Sequence, residues 1–413
     1  MATARRATVA DGVRVLLMTP FVTGHFNGMI GVAERLLETA AEVGWACMGL
    51  RDPTAAFAAI RAIGARPIHM EWSFPLLLAG QEEEGRSIEL RARRFRRVTV
   101  DSDVVATCRE IIASFQPDAV AVDPAFYSGI IASHLAGVPY VCVHTNLCIA
   151  APDDVACERL EIDRALSEAR RELFERHGAP LPDFRRCESI SPHGNSVWAT
   201  ASFLHGAALP ADTRLVGPSI PRRPRPDHAA FDWSLLDGRP LVYASPGTVY
   251  PAPPPFLGAL AATCARLDLQ LVVVGAEAPA PAIAVRYAPQ LEMLGRASLF
   301  VTHGGANSVM EGLTFGCPML VAPLASDQPI QAHFVEASGA GRAVDPYSAG
   351  EAELEAAMVD LLRPAPDRAA RVAELSDDYR AHDGAGAVTA WLSDIAAAGS
   401  AGHSAGGAPP TSR

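Results

Sequence analysis

The strongest constraint on the fold is a repeated alternation of short apolar runs with helix-length stretches. In the first half, helices predicted near 28–43 and 128–136 alternate with the runs VRVLLMTPF, PDAVAVDPAF and PYVCVHTN. In the second half, helices predicted near 255–267 and 307–315 alternate with PLVYASPG, LQLVVVGAE, SLFVTHGG and PMLVAPLA. Such alternation is typical of βαβ units on a parallel sheet. The sequence therefore predicts an α/β protein with two similar halves.

Chain length favours two separate domains. A chain of 413 residues with 49% hydrophobic content is longer than one hydrophobic core usually supports. Proline and charge replace the periodic pattern in GPSIPRRPRPDHAAF, so we predict a linker at 218–230 between domains at 1–217 and 231–395. The last helix is expected to pack back on the first domain. Residues 396–413 carry little bulky apolar surface and are predicted to be a disordered tail.

Charge and residue usage exclude several classes of function. The net charge of −11 repels phosphate backbones, so nucleic acid is not an expected partner. The basic run at 91–97 is interpreted as a solvated helix face. All 35 residues counted together as lysine and arginine are arginine. A chain without lysine cannot use a P-loop lysine, a kinase lysine or a pyridoxal phosphate Schiff base.

Cysteine spacing and the N-terminal residues favour a reduced, cytoplasmic protein. The 8 cysteines are scattered through apolar segments without a CxxC pair, which favours buried thiols over disulfides or zinc. The apolar run VRVLLMTPF is too short for a membrane helix and is not followed by a cleavage site. We therefore expect no stable membrane insertion. The sequence leaves a homodimer open.

A glycine-containing segment of the second half is suited to bind phosphate. Residues 302–308, THGGANS, follow an apolar strand and lead into a helix. Glycines such as Gly305 let the backbone approach an anion, and the N–H groups of a helix start bind phosphate. Asn307 and Ser308 are candidates to cap this helix, and His303 adds a donor that is cationic when protonated. Since ligands of parallel α/β sheets bind beyond the carboxyl ends of strands, this segment is predicted to face a cleft.

The wider pattern around this segment resembles the nucleotide-sugar signature of family 1 glycosyltransferases. Arg286-Tyr287-Ala288-Pro289-Gln290 precedes it, and Glu311 and then Asp327-Gln328 follow it. The family includes plant secondary-product enzymes, animal glucuronosyltransferases and bacterial antibiotic and carotenoid glycosyltransferases. The resemblance implies the GT-B fold, in which two Rossmann-like domains with parallel sheets face each other across a cleft. It also implies that the first domain binds the acceptor and the second binds the nucleotide sugar.

The resemblance also implies roles for the donor-side residues. It assigns Tyr287 to the base, and Gln290 and Glu311 to the ribose. The residues assigned to the diphosphate are Thr248, His303, Gly305, Asn307 and Ser308. Asp327 and Gln328 are assigned to the sugar hydroxyls. The plant motif has tryptophan at the positions of Tyr287 and Ala306, so this chain departs from it twice.

A histidine after the first strand is the candidate general base. His25 lies between that strand and a helix predicted to start near Gly28, where the family keeps its catalytic histidine. Neutral imidazole suits proton abstraction near pH 7, and a carboxylate on its other nitrogen stabilises the imidazolium. Asp123, at the carboxyl end of a buried strand, matches the partner aspartate of the family. Asp118 precedes that strand and is expected at the opposite end of the sheet.

The acceptor pocket is defined less sharply. Its candidate residues are Phe26, Phe74, His144 and Thr145, with the apolar loop around Phe74 forming part of the wall. This apolar content predicts a hydrophobic acceptor, such as an aromatic or polyketide-like natural product.

Together these features predict an inverting glycosyltransferase without metal or cofactor, which moves a hexose or deoxyhexose from UDP or TDP to a hydroxyl of a small molecule. Asp101-Ser102-Asp103 is similar to a metal-binding DxD motif, but it precedes a helix pattern, and helix capping explains it better. Two alternatives remain: a nucleotide-sugar epimerase of GT-B fold, and a non-catalytic nucleotide-sugar-binding protein. The His25–Asp123 pair argues against the first, and the filled donor positions argue against the second.

Overall fold

The first half of the chain forms a parallel sheet with helices on both faces. The computed structural model describes residues 12–20, 22–39, 42–48, 54–70, 87–181, 184–185, 188–225, 231–247 and 250–404. In the first half the elements are β1 (Arg14–Pro20), α1 (Thr23–Glu38), β2 (Glu42–Met48), α2 (Thr54–Ile63), β3 (Arg66–Met70), α3 (Ile88–Arg96), a π-helical turn (Arg97–Asp101), α4 (Val105–Phe115), β4 (Ala119–Val122), α5 (Tyr127–Leu135), β5 (Tyr140–His144), a 3-10 turn (Cys148–Ala150), α6 (Glu158–Ala165), α7 (Ser167–Arg176), β6 (Phe184–Arg185), β7 (Glu188–Ser189), β8 (Asn195–Val197), α8 (Ala201–Leu204) and β9 (Thr213–Leu215).

The second half repeats this plan. Its elements are a 3-10 turn (Trp233–Leu235), β10 (Leu241–Ser245), α9 (Pro254–Arg266), β11 (Gln270–Val274), β12 (Ile283–Val285), α10 (Gln290–Leu294), β13 (Ala297–Thr302), α11 (Ala306–Phe315), β14 (Met319–Val321), α12 (Gln328–Ala337), β15 (Gly341–Ala343), α13 (Glu351–Leu362), α14 (Pro366–Ala381) and α15 (Gly384–Ser404). The predicted pair of α/β halves is therefore confirmed.

The strand order of each sheet places a crevice at a defined point. The first sheet has the order β3-β2-β1-β4-β5-β8-β9, and the second has β12-β11-β10-β13-β14-β15. All of these pairings are parallel. In both sheets the order reverses beside the first strand, which is the doubly wound arrangement of Rossmann-like domains. Ligand sites are therefore expected after β1 and β4 in one half and after β10 and β13 in the other.

Each central strand is buried on both faces because helices cover both sides of its sheet. On β1, Val15 and Leu17 join the apolar core on the α1 side, whereas Leu16 and Met18 join the core on the α4 and α5 side. Strands buried in this way read as continuous apolar runs rather than alternating ones. This is why VRVLLM was recognisable as a central strand.

The first helix starts earlier than the sequence predicted. Helix α1 begins at Thr23 rather than near Gly28, and the N–H groups of His25 and Phe26 both donate to the Val22 carbonyl, at 2.9 and 2.8 Å. The helix ends at Glu38, and β2 begins at Glu42. His25 is consequently fixed in the first helical turn instead of in a loop.

The end of the chain crosses back to the first half. In α15 the Gly384 N–H donates to the Pro218 carbonyl at 2.9 Å, and the Thr389 hydroxyl donates to the Val32 carbonyl at 3.5 Å. The Arg214 guanidinium lies 3.7 Å from the centre of the Trp391 ring. The predicted 218–230 linker lies between β9 of the first sheet and β10 of the second. Residues 226–230 lie outside the described part of the chain.

The expectation of a disordered tail from 396 is wrong for residues 396–404, which continue α15. Alanine is the strongest helix former, and Ala396 is buried in the apolar core, so the segment needs little bulky surface to remain helical. Residues 405–413 lie outside the described ranges. No helix within those ranges is both long and apolar enough to cross a bilayer.

Candidate active site

The carboxyl ends of the two sheets face a shared cleft with a volume of about 360 Å³. That volume falls within the usual range of small-molecule sites, roughly 300–1,000 Å³. Residues from both halves line it, and among those singled out from the sequence they are His25, Asp123, Thr145, Tyr287, Gln290, His303, Gly305, Asn307, Ser308, Glu311, Asp327 and Gln328. The fold therefore brings the candidate base and the candidate donor residues to one place.

Two predicted acceptor residues do not reach this cleft. The Phe26 ring stacks on Trp45 with centroids 4.5 Å apart, because the early start of α1 turns it into the core. His144 is still within β5 and fully buried, and its Nε2 lies 3.4 Å from Asn195 Oδ1. The structure thus corrects both assignments. Phe74 and the donor candidate Thr248 lie outside the described residues.

His25 and Asp123 meet where the strand order of the first sheet reverses. The Asp123 N–H donates to the Met18 carbonyl at 3.0 Å, which extends the β1–β4 pairing and places the aspartate beside the start of α1. His25 Nδ1 lies 2.5 Å from Asp123 Oδ2, and Thr145 Oγ1 lies 3.0 Å from the same nitrogen. Asp118 hydrogen-bonds the backbone of Arg14 at the other end of these strands, as predicted.

The electrostatics of this pair keep Asp123 ionised. Burial raises the pKa of the Asp123 carboxyl, but the charge and hydrogen bond of His25, the Ala125 N–H and Arg159 outweigh burial, so the pKa is lowered from its usual value. An ionised carboxylate at Oδ2 requires a proton on Nδ1 of His25. The other ring nitrogen, Nε2, is then the basic atom of the neutral imidazole.

The segment predicted to bind phosphate forms the start of α11. Gly304 has a φ of 85°, a left-handed conformation that favours glycine, and Gly305 is the N-cap without a side-chain capping bond. The prediction that Asn307 or Ser308 caps the helix is therefore wrong. Asn307 Nδ2 instead donates to the Gly24 carbonyl of the first half at 2.6 Å. The first N–H groups of α11 are left for an anion, as at other phosphate-binding helix starts.

His303 lies beside this helix start. Its Nδ1 is 3.4 Å from the Ser245 carbonyl oxygen. Burial lowers the pKa of His303, although the Ser245 carbonyl and the Asp327 charge raise it. The imidazole is therefore neutral at pH 7 before a ligand binds. Since Nδ1 carries the proton that faces Ser245, Nε2 becomes a hydrogen-bond donor only when the ring is protonated.

A hydrogen-bonded network joins the two predicted ribose ligands. Gln290 Nε2 donates to Glu311 Oε2 at 2.6 Å, and the Tyr243 hydroxyl donates to Gln290 Oε1 at 3.3 Å. The other carboxylate oxygen of Glu311, which is fully buried, forms a salt bridge with Arg225. Tyr287 is 56% exposed and contributes its ring to the cleft wall.

Asp327 and Gln328 lie at the start of α12, on the other side of His303. Gln328 Oε1 accepts hydrogen bonds from the N–H groups of Leu324 and Ala325, at 2.7 and 3.0 Å. Asp327 Oδ2 accepts from Gln331 Nε2 at 2.7 Å. Both side chains are therefore held in fixed orientations beside the cleft.

Comparison with known proteins agrees with this geometry. The family model described as UDP-glucoronosyl and UDP-glucosyl transferase matches residues 276–378, which contain all predicted donor residues except Thr248. Over 411 residues the chain is 25% identical to 4'-demethylrebeccamycin synthase of Lentzea aerocolonigenes, and the match covers 90% of this chain and 97% of that protein. These matches support a glycosyltransferase similar to those of family 1.

One further relative and one solved structure add to this comparison, the first in sequence and the second in fold. The chain is 35% identical over 156 residues to the uncharacterized UDP-glucosyltransferase YojK of Bacillus subtilis strain 168, a match that covers 36% of this chain and 38% of that protein. The crystal structure of the glycosyltransferase of kitacinnamycin superimposes with a TM-score of 0.73 at 22% identity, over 93% of this chain and 99% of that one. The fold of this chain is thus GT-B.

Sequence reasoning missed several cleft residues. Phe95 and Arg159 line the first-half side of the cleft, and the Arg159 guanidinium lies 5.1 Å from the centre of the Phe95 ring. Phe95 belongs to the basic 91–97 run. The interpretation of this run as a solvated face is wrong for Arg91 and Arg94, which are buried, and holds for the remaining arginines of the run, which are exposed. Arg225 lies in the segment assigned to the linker. Phe95, an apolar residue within a basic run, is the sequence feature that could have indicated this part of the cleft wall.

The described cysteines and the Asp101-Ser102-Asp103 triplet do not line the cleft. Seven cysteines are described, and all are free and buried, as predicted. Asp103 of the Asp101-Ser102-Asp103 triplet accepts a hydrogen bond from the Val105 N–H and pairs with His177 at 2.6 Å, away from the cleft. Within the described ranges there is no group of three or more histidine, cysteine, aspartate or glutamate side chains suited to hold a metal ion.

Replacing His303 with alanine is expected to weaken the binding of UDP or TDP by roughly 1.5–3 kcal/mol, the effect of one charge-assisted hydrogen bond. Binding of the diphosphate favours the imidazolium, so the pKa of His303 rises in the complex and a proton is taken up. The affinity of the unmodified enzyme should therefore fall as the pH rises through that raised pKa, and His303→Ala should flatten this dependence. Calorimetry between about pH 6 and about pH 8 measures both effects, and equal affinities at every pH would remove His303 from the site.

Proposed function

We propose that this enzyme transfers a hexose or deoxyhexose from a UDP or TDP sugar to a hydroxyl of a hydrophobic natural product, with inversion at the anomeric carbon. The observation that carries the proposal is the His25–Asp123 pair, whose Nδ1 and Oδ2 atoms lie 2.5 Å apart in the cleft that the start of α11 also lines. A base and a leaving-group site that share one cleft suit a direct displacement.

The proposed reaction is a single displacement. His25 Nε2 takes the proton of the acceptor hydroxyl as its oxygen forms a bond to the anomeric carbon. The bond from that carbon to the diphosphate oxygen breaks, and its electron pair leaves with the diphosphate. Ionised Asp123 stabilises the imidazolium, and protonated His303 and the α11 N–H groups stabilise the charge on the leaving diphosphate. Attack opposite to the leaving group inverts the configuration.

The acceptor side of the cleft supports a hydrophobic acceptor. Beside His25 it contains the side chains of Val22, Phe95 and Phe126. Aromatic and aliphatic side chains, accompanied by polar groups that fix the orientation, are typical of sites for largely apolar ligands. The names of two similar proteins, 4'-demethylrebeccamycin synthase and the glycosyltransferase of kitacinnamycin, also point to natural products.

The proposal is tested with purified enzyme, UDP and TDP sugars and a panel of aromatic and polyketide acceptors, with products followed by mass spectrometry. We expect a product heavier than the acceptor by one sugar residue, together with release of the nucleoside diphosphate. Conversion of the donor into an epimer without acceptor would indicate the epimerase alternative instead. Binding without any turnover across the panel would indicate a non-catalytic protein.

Activity is expected to persist in excess EDTA. The donor-side carboxylates among the described residues are already engaged, since Glu311 binds Arg225 and Gln290 while Asp327 binds Gln331. The leaving diphosphate is instead stabilised by N–H groups and His303. Turnover measured with and without EDTA should agree within about twofold, because no predicted step uses a metal. Loss of turnover that magnesium or manganese restores would contradict this mechanism.

A further inference from the structure

Asp327 is held by a side chain that lies behind the cleft wall. Asp327 and Gln331 are one turn apart at the start of α12, so their side chains lie on the same face. Gln331 Nε2 donates to Asp327 Oδ2 at 2.7 Å. Gln331 is 0% exposed and does not line the cleft. Any effect of Gln331 on a ligand in the cleft must therefore pass through another residue.

Among the described residues, the Gln331 side chain hydrogen-bonds to Asp327 and is otherwise enclosed by apolar and buried groups. Gln331 borders a separate cavity of about 10 Å³ between the two halves, whose walls include Leu147, Trp198 and Met310. Its Oε1 is buried without a hydrogen-bond partner in the part of the chain that the structure describes. If the amide were flipped, Oε1 instead of Nε2 would face the Asp327 carboxylate, and the two oxygens would repel each other. This repulsion fixes the orientation in which Nε2 donates to Asp327.

The backbone beside Asp327 is fixed from the other half of the protein. Ser326 has a φ of 60°, and its carbonyl accepts hydrogen bonds from Cys157 Sγ at 3.0 Å and from the Arg159 N–H at 3.4 Å. These bonds position the main chain but leave the rotation of the Asp327 side chain undetermined. The Gln331 hydrogen bond supplies that restraint. It occupies Oδ2, so Oδ1 is the oxygen that remains for a sugar hydroxyl.

We propose that Gln331 is a positioning residue for sugar recognition: its amide fixes Asp327 so that Oδ1 contacts the transferred sugar. This inference rests on the proposed function, in which Asp327 binds the sugar. The main effect of Gln331 is expected at the sugar, because its hydrogen bond goes to Asp327 and not to His303, Gln290 or Glu311. The selectivity of the donor site therefore depends on a buried residue that touches no substrate.

The test uses Gln331→Leu, which has a similar volume. Replacing a buried amide that has an unpartnered oxygen with an apolar side chain should leave the melting temperature unchanged or higher. By calorimetry, the affinity for UDP-glucose or TDP-glucose, whichever the unmodified enzyme binds, should fall about tenfold, as expected when one hydrogen bond to a charged group is lost. The affinity for UDP or TDP alone should change by less than about twofold, because no nucleotide contact is altered. Equal losses for both ligands, or no loss for the sugar nucleotide, would overturn the inference.

A second variant separates positioning from packing. Gln331→Glu places two carboxyl groups together, which raises the pKa of one of them, and its protonated form can donate to Asp327 as the amide does. The loss of affinity should therefore be largest at high pH and should shrink as the pH falls through that raised pKa. A loss that does not vary with pH would contradict the proposal. His333→Gln, on the same helix, is the matched control and should bind both ligands normally.

Turnover separates this inference from the proposed function. If the unmodified enzyme transfers sugar, Gln331→Leu should raise the donor KM about tenfold with little change in kcat, since the lost contact serves the ground state and the transition state alike. If no sugar is transferred by any form, the proposed function fails, and the calorimetric comparison still decides the role of Gln331.

Discussion

A His25→Ala enzyme is expected to lose roughly 10²–10⁴-fold in kcat, the usual contribution of general-base catalysis. The substitution removes the nitrogen that accepts the acceptor proton, while the donor contacts of the second half remain. The affinity for the nucleotide sugar should therefore barely change. Steady-state kinetics with saturating acceptor, combined with calorimetry for the donor, measures both quantities.

A matched control for this result is His134→Ala. His134 is exposed near the end of α5 and does not line the cleft. Its removal should leave kcat unchanged. Near-normal turnover in His25→Ala would exclude His25 as the base, even if the donor site is assigned correctly.

Asp123→Asn is expected to have the second largest effect on kcat, smaller than that of His25→Ala and on the order of 10–10³-fold. The amide keeps the shape of the side chain but loses the charge that stabilises the imidazolium. It can also donate a hydrogen bond to His25 Nδ1, which would favour the tautomer that carries its proton on Nε2. Both changes weaken the base without removing it.

The double variant tests whether the two residues act together. Residues that act as a unit have non-additive effects, so His25→Ala with Asp123→Asn should be little slower than His25→Ala alone. Losses that multiply instead would mean that Asp123 contributes independently of His25. Kinetics for all four forms with one donor and one acceptor completes this comparison.

The parts of this protein that were predicted from the sequence are those that depend on local pattern. The central strands read as continuous apolar runs because helices cover both faces, and side chains directly after them, such as Asp123 and His303, fall at the sheet edge that forms the cleft. His25 was placed in a loop but lies in the first turn of α1, which is also why Phe26 points into the core.

The features that were missed depend on contacts between distant segments. Arg225 reaches Glu311 and Asn307 reaches Gly24 only because the two halves pack together. The partner of the Gln331 amide, Asp327, is local, but the burial of that amide comes from residues of both halves and gave no signal in the sequence. Residues 396–404 are predicted to be disordered because they lack bulky apolar side chains, but they are helical. Alanine favours the helix, and Ala396 is buried in a core to which the first half contributes.

The central claim is a single displacement in which His25 acts as the base, and the anomeric configuration of the product tests it most directly. NMR of the purified glycoside gives the coupling constant of the anomeric proton, which distinguishes an α-linked from a β-linked glucoside. From an α-linked nucleotide sugar such as UDP-glucose or TDP-glucose, this mechanism predicts a β-linked product. An α-linked product would require a different displacement and would contradict the role assigned to the His25–Asp123 pair.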